Sequence, residues 1–309
     1  MNNIILYALT VLIWGSTWYV ITFQLGSVDP LVSIAYRFGI AAVVMLAVLG
    51  VMGKLNPKSY TRRQHGFIAL QGLFLFCLNY WLFYIGTGYL TSGLVAVIFS
   101  TMTLMNIVNQ AIIFGIPIKK QVVLGSFIGL IGILAVFWPE IAHMNGDDGV
   151  ITGIVYCLVA SYLASLGNMA ALRNSRDEIP VIEGNSYGMA YGALSCFAII
   201  LVTGTPITFA VEFNYIWSLL YLAILGSVIA FGCYLTLLKN IGADKAAYAS
   251  VMFPIVALII STVFEGYVWT PEALFGMGLV VVGNVVAMAN RESLLHWRPR
   301  KAKAVCGDK

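Results

Sequence analysis

Charged side chains are scarce in this chain, and their scarcity excludes most classes of protein. Only 10% of the 309 residues are Asp, Glu, Lys or Arg, whereas 60% are hydrophobic and the mean hydropathy is +0.90. An ordinary soluble domain has about 25% charged residues and needs them to cover its surface. The composition therefore excludes a water-soluble fold, a disordered chain and a secreted disulfide scaffold. It predicts an integral membrane protein.

Groups that carry enzyme or metal chemistry are also rare. The five cysteines have neither the CxxC spacing nor the Cys/His spacing of a metal site. His65, His143 and His296 all fall in predicted loops, and no glycine loop for binding phosphate is present. The sequence thus gives no catalytic residue, no metal ligand and no cofactor, and it predicts that the protein is not an enzyme. The net charge of +4 reports membrane orientation and does not indicate a nucleic-acid partner.

Ten apolar runs are long enough to cross a bilayer as helices, which takes about 20 residues. Because the runs are continuous and show no period-2 alternation, they predict helices and exclude a β-barrel. The first run has no basic leader and no cleavage site, so it is expected to remain as a membrane span. The spans are predicted at 3–22, 30–52, 67–88, 91–116, 121–138, 149–171, 180–204, 213–237, 243–264 and 271–291.

The charges outside the spans divide by side. Every Lys and Arg except Arg37 falls in the tail or in the loops between spans 2 and 3, 4 and 5, 6 and 7, and 8 and 9. The loops on the other side carry Asp and Glu without Lys or Arg. The positive-inside rule then places both termini and the basic loops in the cytoplasm. The predicted location is therefore the cell inner (plasma) membrane, which the chain crosses several times.

A repeat relates the two halves of the chain. Five spans in each half is an odd number, so the halves have opposite orientations, and a shift of 151 residues places span 2 on span 7 and spans 3–5 on spans 8–10. The prediction is an all-α fold of ten transmembrane helices in two inverted five-helix repeats, residues 1–140 and 149–291, with a basic cytoplasmic tail at 292–309. Such repeats are typical of transporters, whose site lies between the halves. The residue pairs that coincide under the shift are Tyr36/Tyr187, Gly115/Gly266, Gly125/Gly276 and Gly132/Gly283.

Motifs in both halves resemble the EamA family of the drug/metabolite transporter superfamily, and the resemblance covers the whole chain. It implies a ten-helix carrier that exports amino acids or related metabolites, with a central cavity lined by helices of both halves. The first half departs from the family at Ile116-Pro117, where many members have a Gly-Glu pair. The motifs are WGST at Trp14–Thr17, Pro30 followed by Tyr36–Phe38, Gly125–Gly132, Pro254, FEGY at Phe264–Tyr267, and Gly276–Gly283.

Polar and aromatic side chains within the spans are candidates for a neutral substrate site. Hydroxyls and amides can replace water around a zwitterion, and aromatic faces attract an ammonium group. For each residue the alternative is a hydrogen bond that packs helices together. Trp14, Tyr80 and Thr101 have the best depth for a site at the midplane. The candidate substrate-binding residues are Trp14, Thr17, Asn79, Tyr80, Tyr84, Ser100, Thr101, Tyr156, Asn168, Tyr234, Tyr248 and Ser250.

Three charged residues are candidates for gating or coupling: Arg37, Glu183 and Glu265. Arg37 lies seven residues beyond Pro30, about 10 Å into the membrane at 1.5 Å per residue. A charge at that depth is costly unless it is paired or reaches the headgroups. Two interpretations stay open, a structural one in which Arg37 snorkels or caps a helix and a functional one in which it binds a carboxylate or gates. The glutamates lie at span ends, where a solvated helix end is the alternative to proton coupling.

The function predicted from these features is secondary transport. The protein is expected to export small neutral or zwitterionic metabolites such as amino acids by alternating access. Span 1 contains no acidic residue, in contrast to the related small multidrug exporters, and this disfavours exchange of hydrophobic cations. The alternatives are a multidrug or cation exporter of the same superfamily and a membrane assembly or scaffold protein that transports nothing. The expected partners are a small-molecule substrate and the lipid bilayer, with homo-oligomerisation left open.

Overall fold

The protein is a bundle of helices in the computed structural model, which describes residues 2–55, 59–118, 120–142, 149–241 and 243–288. No strand is present among these residues. We label α1–α5 the first half and the remaining helices the second half. The helices are α1 Asn3–Thr22, α2 Pro30–Val51, α3 Arg62–Thr87, α4 Ser92–Phe114, α5 Lys120–Ala142, α6 Val150–Arg176, α7 Val181–Thr203, α8 Phe213–Ile241, α9 Ala243–Phe264 and α10 Pro271–Met288.

Helix length and composition agree with a membrane protein. Within the described residues, α1–α8 each contain a stretch long and apolar enough to cross a bilayer. The apolar stretches of α9 and α10, Val251–Phe264 and Pro271–Ala287, are shorter in the described part of the chain. The prediction of an all-α protein with helices able to span a membrane is therefore confirmed over the described residues. The ten-span count and the inverted repeat remain predictions.

Side-chain caps explain where helices begin. The Asp29 carboxylate accepts a hydrogen bond from the Leu31 amide at 2.8 Å and starts α2 at the predicted position. Thr61 and Gln64 form a capping box that starts α3 at residue 62 rather than at the predicted 67. His65 therefore lies in the first turn of α3, and its assignment to a loop is wrong, because a capped helix continues beyond the apolar segment.

Three helices are irregular near their middles. α3 contains a π-helical stretch at Phe74–Leu78, and α8 contains one at Tyr221–Ile229. α4 tightens at Ser100 and Thr101, where the amides bond to carbonyls three residues back at 3.1 and 3.0 Å. Such irregular turns shift the backbone hydrogen bonds and are frequent at functional sites.

The two halves pack on each other through close helix pairs. α5 runs along α10, α2 along α7, and α1 packs on α8 and α9. A Cβ atom added to Gly125 would lie 2.5 Å from the Gly283 carbonyl oxygen, and one added to Gly276 would lie 2.6 Å from the Gly132 carbonyl oxygen. Only glycine permits backbones to approach so closely, so these four residues fix the distance between α5 and α10.

Contacts between loops define two ends of the bundle. We call the end with the α2–α3 loop the basic face and the opposite end the acidic face. At the basic face, the Tyr60 hydroxyl donates to the Glu183 carboxylate at the start of α7. At the acidic face, the Ser92 amide donates to the Glu265 carboxylate just after α9 at 3.1 Å. Each contact joins two segments that the charge partition assigns to the same side of the membrane.

Candidate functional site

Trp14 is partly buried where α1 meets α8 and α9. Its indole Nε1 donates to the Gly226 carbonyl in the π-helical stretch at 3.0 Å. Its ring packs edge-on against Phe231 and Phe253, with centroids 5.0 and 5.4 Å away, and lies tilted at 5.3 Å from the ring of Tyr234. The structure thus brings the predicted residues Trp14 and Tyr234 together in an aromatic wall that joins the two halves.

Two hydroxyl groups of α1 lie beside this wall. The Ser16 hydroxyl is 2.7 Å from the Tyr221 hydroxyl, which gives a second polar link from α1 to α8. Thr17 is buried, and its hydroxyl donates to the Trp14 carbonyl at 2.7 Å. Its methyl group would lie 3.0 Å from a Cβ atom on Gly226. Thr17 therefore shapes the contact between the helices, while its hydroxyl is bonded within its own helix.

Arg37 is enclosed in the protein and has no carboxylate partner among the described residues. It is 2% exposed, and its Nε and Nη1 groups have no hydrogen-bond partner in the part of the chain that the structure describes. Its guanidinium carbon lies 4.5 Å from the ring centroid of Tyr80 and 5.0 Å from that of Phe38. The ion pair that the described residues do contain, Arg173 with Asp177 at 2.7 Å, is partly exposed at the end of α6. A buried cation is therefore held over aromatic faces without a counter-charge.

Side chains of α3 complete the surroundings of Arg37. The Tyr80 ring packs against Phe38 with centroids 4.9 Å apart. Tyr84 is fully buried, and its hydroxyl interacts with the Arg37 guanidinium but has no acceptor for its own proton among the described residues. Asn79 is also buried, and its Oδ1 atom has no hydrogen-bond partner within the described ranges. Because Tyr80 and Tyr84 are four residues apart on one helix face, the sequence places both beside the same group.

The hydroxyls at the tight turn of α4 are bonded locally. Ser100 Oγ donates to the Val97 carbonyl at 2.6 Å, and Thr101 Oγ1 donates to the Ile98 carbonyl at 2.7 Å. Both side chains are buried. Their predicted role in substrate binding would require these bonds to be exchanged for bonds to the substrate.

The remaining predicted residues do not all reach the centre. Tyr156 stacks on Tyr89 at the acidic face, with centroids 6.4 Å apart and an interplanar angle of 14°. Asn168 Nδ2 lies 3.4 Å from Asn106 Oδ1 and links α6 to α4. Two further candidates have side chains outside the described residues: Tyr248 and Ser250.

The two glutamates lie at the faces of the bundle, away from Arg37. Glu183 is half-buried and accepts the bond from Tyr60; burial and the adjacent carboxylate together raise the pKa of the Tyr60 hydroxyl. Glu265 accepts bonds from the Ser92 amide at 3.1 Å and the Ser92 hydroxyl at 2.5 Å, so it caps the start of α4. Each carboxylate joins a helix of one half to the other half.

A buried amide network near the basic face was not predicted from the sequence. Gln71 Nε2 donates to Asn185 Oδ1, and Asn174 Nδ2 donates to Gln71 Oε1, both at 2.9 Å. The network joins α3, α7 and α6 and borders a cleft of about 20 Å³. Gln71 is an isolated amide in an apolar run, and a buried amide needs a partner, which is a signal that could have revealed it. Asn174 gave no such signal because it follows the predicted end of its span.

Comparison with known proteins identifies relatives of similar length. A sequence model of the EamA-like transporter family matches the chain twice, over residues 1–138 and 151–289. The Escherichia coli (strain K12) protein named uncharacterized inner membrane transporter YedA is 28% identical over 297 residues, covering 91% of this chain and 88% of that protein. A Clostridium kluyveri protein named uncharacterized transporter is 24% identical, covering 85% of each chain. One solved crystal structure has a TM-score of 0.64 at 16% identity and covers 92% of this chain and 96% of its own, which shows a shared fold.

Proposed function

The chain belongs to the EamA-like transporter family, and from that membership we propose that it is a secondary transporter of small neutral or zwitterionic metabolites such as amino acids. The family makes the protein a membrane transporter of the drug/metabolite transporter superfamily. The substrate class rests on two groups in the interior of the bundle. Trp14 presents an aromatic ring where α1 meets α8, and the positive Arg37 is buried over the ring of Tyr80.

A positive centre favours a neutral or zwitterionic substrate over a cationic drug. A buried cation repels another cation strongly, because protein interiors screen charge much less than water does. The carboxylates of Glu183 and Glu265, which could compensate a cationic drug, instead bond to Tyr60 and Ser92 at opposite faces. The Tyr80 face already carries Arg37, whereas none of the cations in the described structure lies over the Trp14 ring. An aromatic ring attracts an ammonium group by about 0.5–2 kcal/mol, which suits the amino group of a zwitterion.

The proposal includes an inverted repeat, which the contacts between α5 and α10 support. A shift of 151 residues places Gly125 on Gly276 and Gly132 on Gly283. The contact between Gly125 and Gly283 is therefore equivalent to the contact between Gly276 and Gly132. Such a pair of equivalent contacts is expected when two halves are related by a two-fold axis.

Backbone conformations at equivalent positions support the same relation. Gly53 and Gly204, which follow α2 and α7, have φ values of 66° and 69°. Gly115 and Gly266, which follow α4 and lie near the end of α9, have φ values of 67° and 71°. The shift also carries the π-helical residues 74–78 onto 225–229, which lie within the second π-helical stretch. Two similar halves in opposite orientations can exchange conformations, and that exchange would open a central site to either side in turn.

We further propose that the protein crosses the inner membrane with both termini in the cytoplasm. All basic residues except Arg37 lie on one side of the ten-span arrangement, and the positive-inside rule assigns that side to the cytoplasm. The relative in Escherichia coli is named an inner membrane transporter, which agrees with this location.

A counterflow screen in proteoliposomes tests the proposed transport. Vesicles preloaded with one unlabelled amino acid should accumulate the same labelled amino acid for at least one member of the panel. Tyr80→Ala and Thr101→Ala should reduce that accumulation while the purified proteins stay monodisperse. Tyr162→Ala is the matched control, because Tyr162 is 46% exposed on the outer surface of α6.

Two results would contradict the proposal. Absence of counterflow by folded protein for every amino acid and metabolite tested would favour a scaffold. Proton-driven efflux of quaternary ammonium dyes by the purified protein would favour the multidrug alternative.

A further inference from the structure

Arg37 carries hydrogen-bond donors that the described protein leaves unused. The Arg37 side chain is 2% exposed, and its Nε and Nη1 groups have no hydrogen-bond partner among the described residues. The contacts with Tyr80 and Phe38 lie on ring faces, which attract the positive charge but accept few of the N–H groups. A buried ion without a partner is strongly unfavourable, and native proteins rarely retain one for packing alone.

The second half shows that this position does not require a cation for packing. The 151-residue shift places Arg37 of α2 on Gly188 of α7. A Cβ atom on Gly188 would lie 3.2 Å from the Phe76 ring, so α7 and α3 are already in close contact there. The equivalent space between α2 and α8 instead holds the guanidinium, whose Nη2 lies 3.8 Å from the Cβ position of Gly226. Close helix packing fills this space at Gly188, whereas the space at Arg37 holds a charge that no described residue pairs with.

A second polar group lies beside the guanidinium. The Tyr84 hydroxyl is fully buried and interacts with Arg37, which can only donate, so the hydroxyl proton has no acceptor among the described residues. Arg37 Nε and Nη1 and the Tyr84 hydroxyl proton are thus donors without an acceptor in the described structure, between α2, α3 and α8. A carboxylate supplies two acceptor oxygens and one negative charge, and the planar fork of Arg binds it through two parallel bonds.

We propose that Arg37 binds the carboxylate of the transported metabolite, with the Tyr84 hydroxyl donating a further hydrogen bond to the same group. This inference rests on the proposed function and narrows its substrate class to compounds that bear a carboxylate. Substrate binding then supplies a counter-charge, which none of the described residues provides to Arg37. A compound with a carboxamide in place of the carboxylate leaves the charge unpaired and is rejected.

The experiment measures binding and transport with the full-length protein. Alanine, leucine and phenylalanine are each compared with the corresponding amide and with the corresponding acid that lacks the amino group. Thermal unfolding in detergent reports binding, and counterflow in proteoliposomes reports transport. The variants are Arg37→Gln, which removes the charge, and Arg37→Lys, which keeps the charge but removes the fork. The control is Arg173→Gln, which removes a partly exposed Arg at the end of α6.

The expected result is a preference of at least tenfold for the carboxylate form over the amide in the wild type and in Arg173→Gln. Arg37→Gln should reduce that preference to within twofold, and without ligand it should melt no lower than the wild type, because an unpaired buried charge has been removed. Arg37→Lys should weaken carboxylate binding at least threefold and leave amide binding unchanged, which keeps the test valid even where Arg37→Gln fails to fold.

Several outcomes would overturn the proposal. These are equal binding of acid and amide by the wild type, no binding of any carboxylate form, and an unchanged preference in Arg37→Gln. Whether the acids without an amino group bind as well as the amino acids shows only which source of carboxylate the site accepts, and either answer supports the role of Arg37. Carboxylate-selective binding without counterflow would support Arg37 and refute transport. Counterflow without any preference for carboxylate would support transport and refute the role of Arg37.

Discussion

Replacing Gly276 by Ala should force α5 and α10 apart. The new Cβ atom would lie 2.6 Å from the Gly132 carbonyl oxygen and 2.6 Å from the Val136 amide nitrogen, whereas ordinary contact begins at 3.4 Å. Both neighbours are backbone atoms, which cannot rotate away, so the helices must separate by about 0.8 Å, the difference between these distances. Overpacking of this kind costs about 1–3 kcal/mol. Better helix propensity of Ala offsets about 0.5–1 kcal/mol, which leaves a net loss of about 1 kcal/mol.

Gly278→Ala on the same helix is the matched control. Apart from its chain neighbours and its own helix backbone, no described atom lies within 4 Å of its Cβ position. The substitution should therefore gain the better helix propensity of Ala and raise the free energy of unfolding by about 0.5–1 kcal/mol. Thermal unfolding of both variants in one detergent should therefore shift in opposite directions. Gly125→Ala should behave like Gly276→Ala, because its Cβ atom would lie 2.5 Å from the Gly283 carbonyl oxygen. Equal melting of Gly276→Ala and Gly278→Ala would refute the close packing of α5 on α10.

Further predictions concern the polar links and the topology. Glu265→Gln should lower the free energy of unfolding by about 1 kcal/mol, because it weakens the cap of α4. Adding Ser92→Ala to that variant should lower the free energy of unfolding little further. Additive losses in this double-mutant cycle would show that the two residues act separately. Ser16→Ala and Tyr221→Phe should couple by about 0.5–1.5 kcal/mol in the same assay, because each removes one partner of a single hydrogen bond, and zero coupling would contradict that bond. Reporter fusions after residue 146 should read as periplasmic and after residue 176 as cytoplasmic, and the reverse pair of readings would refute the topology.

Helix positions were largely predictable because the bilayer constrains them directly. The apolar run at 3–22 coincides with α1, since both the run and the helix end where the membrane is expected to end. α6 continues to Arg176, beyond the predicted boundary at 171, because helical hydrogen bonds do not need an apolar side chain. The ion pair between Arg173 and Asp177, four residues apart, stabilises that extension. Hydropathy thus predicts the part of a helix inside the lipid and underestimates the part outside.

Partners across the bundle were much harder to predict. Arg37 is conspicuous in the sequence because it is the basic residue within an apolar run. The contact between Trp14 and Gly226 is not conspicuous in the sequence, because 212 residues separate the two and the π-helical stretch determines which carbonyl faces α1. Gln71 and Asn174 escaped notice for a similar reason, since their bond spans 103 residues and neither belongs to a motif. A single sequence does not show which residues of two distant helices lie opposite each other.

The length of a polar side chain determines whether it can contact groups on other helices at the candidate site. Short hydroxyls such as Thr17 and Thr101 bond to carbonyls three residues back, so their presence in a span says little about what surrounds them. The indole N–H of Trp14 and the guanidinium of Arg37 extend beyond their own helices, and each must find its partner on another element. Trp14 finds one on α8. The Arg37 guanidinium lies over the Tyr80 ring and beside the Tyr84 hydroxyl, and its Nε and Nη1 donors have no acceptor among the described residues. These unused donors, rather than the number of polar residues nearby, distinguish this region of the protein.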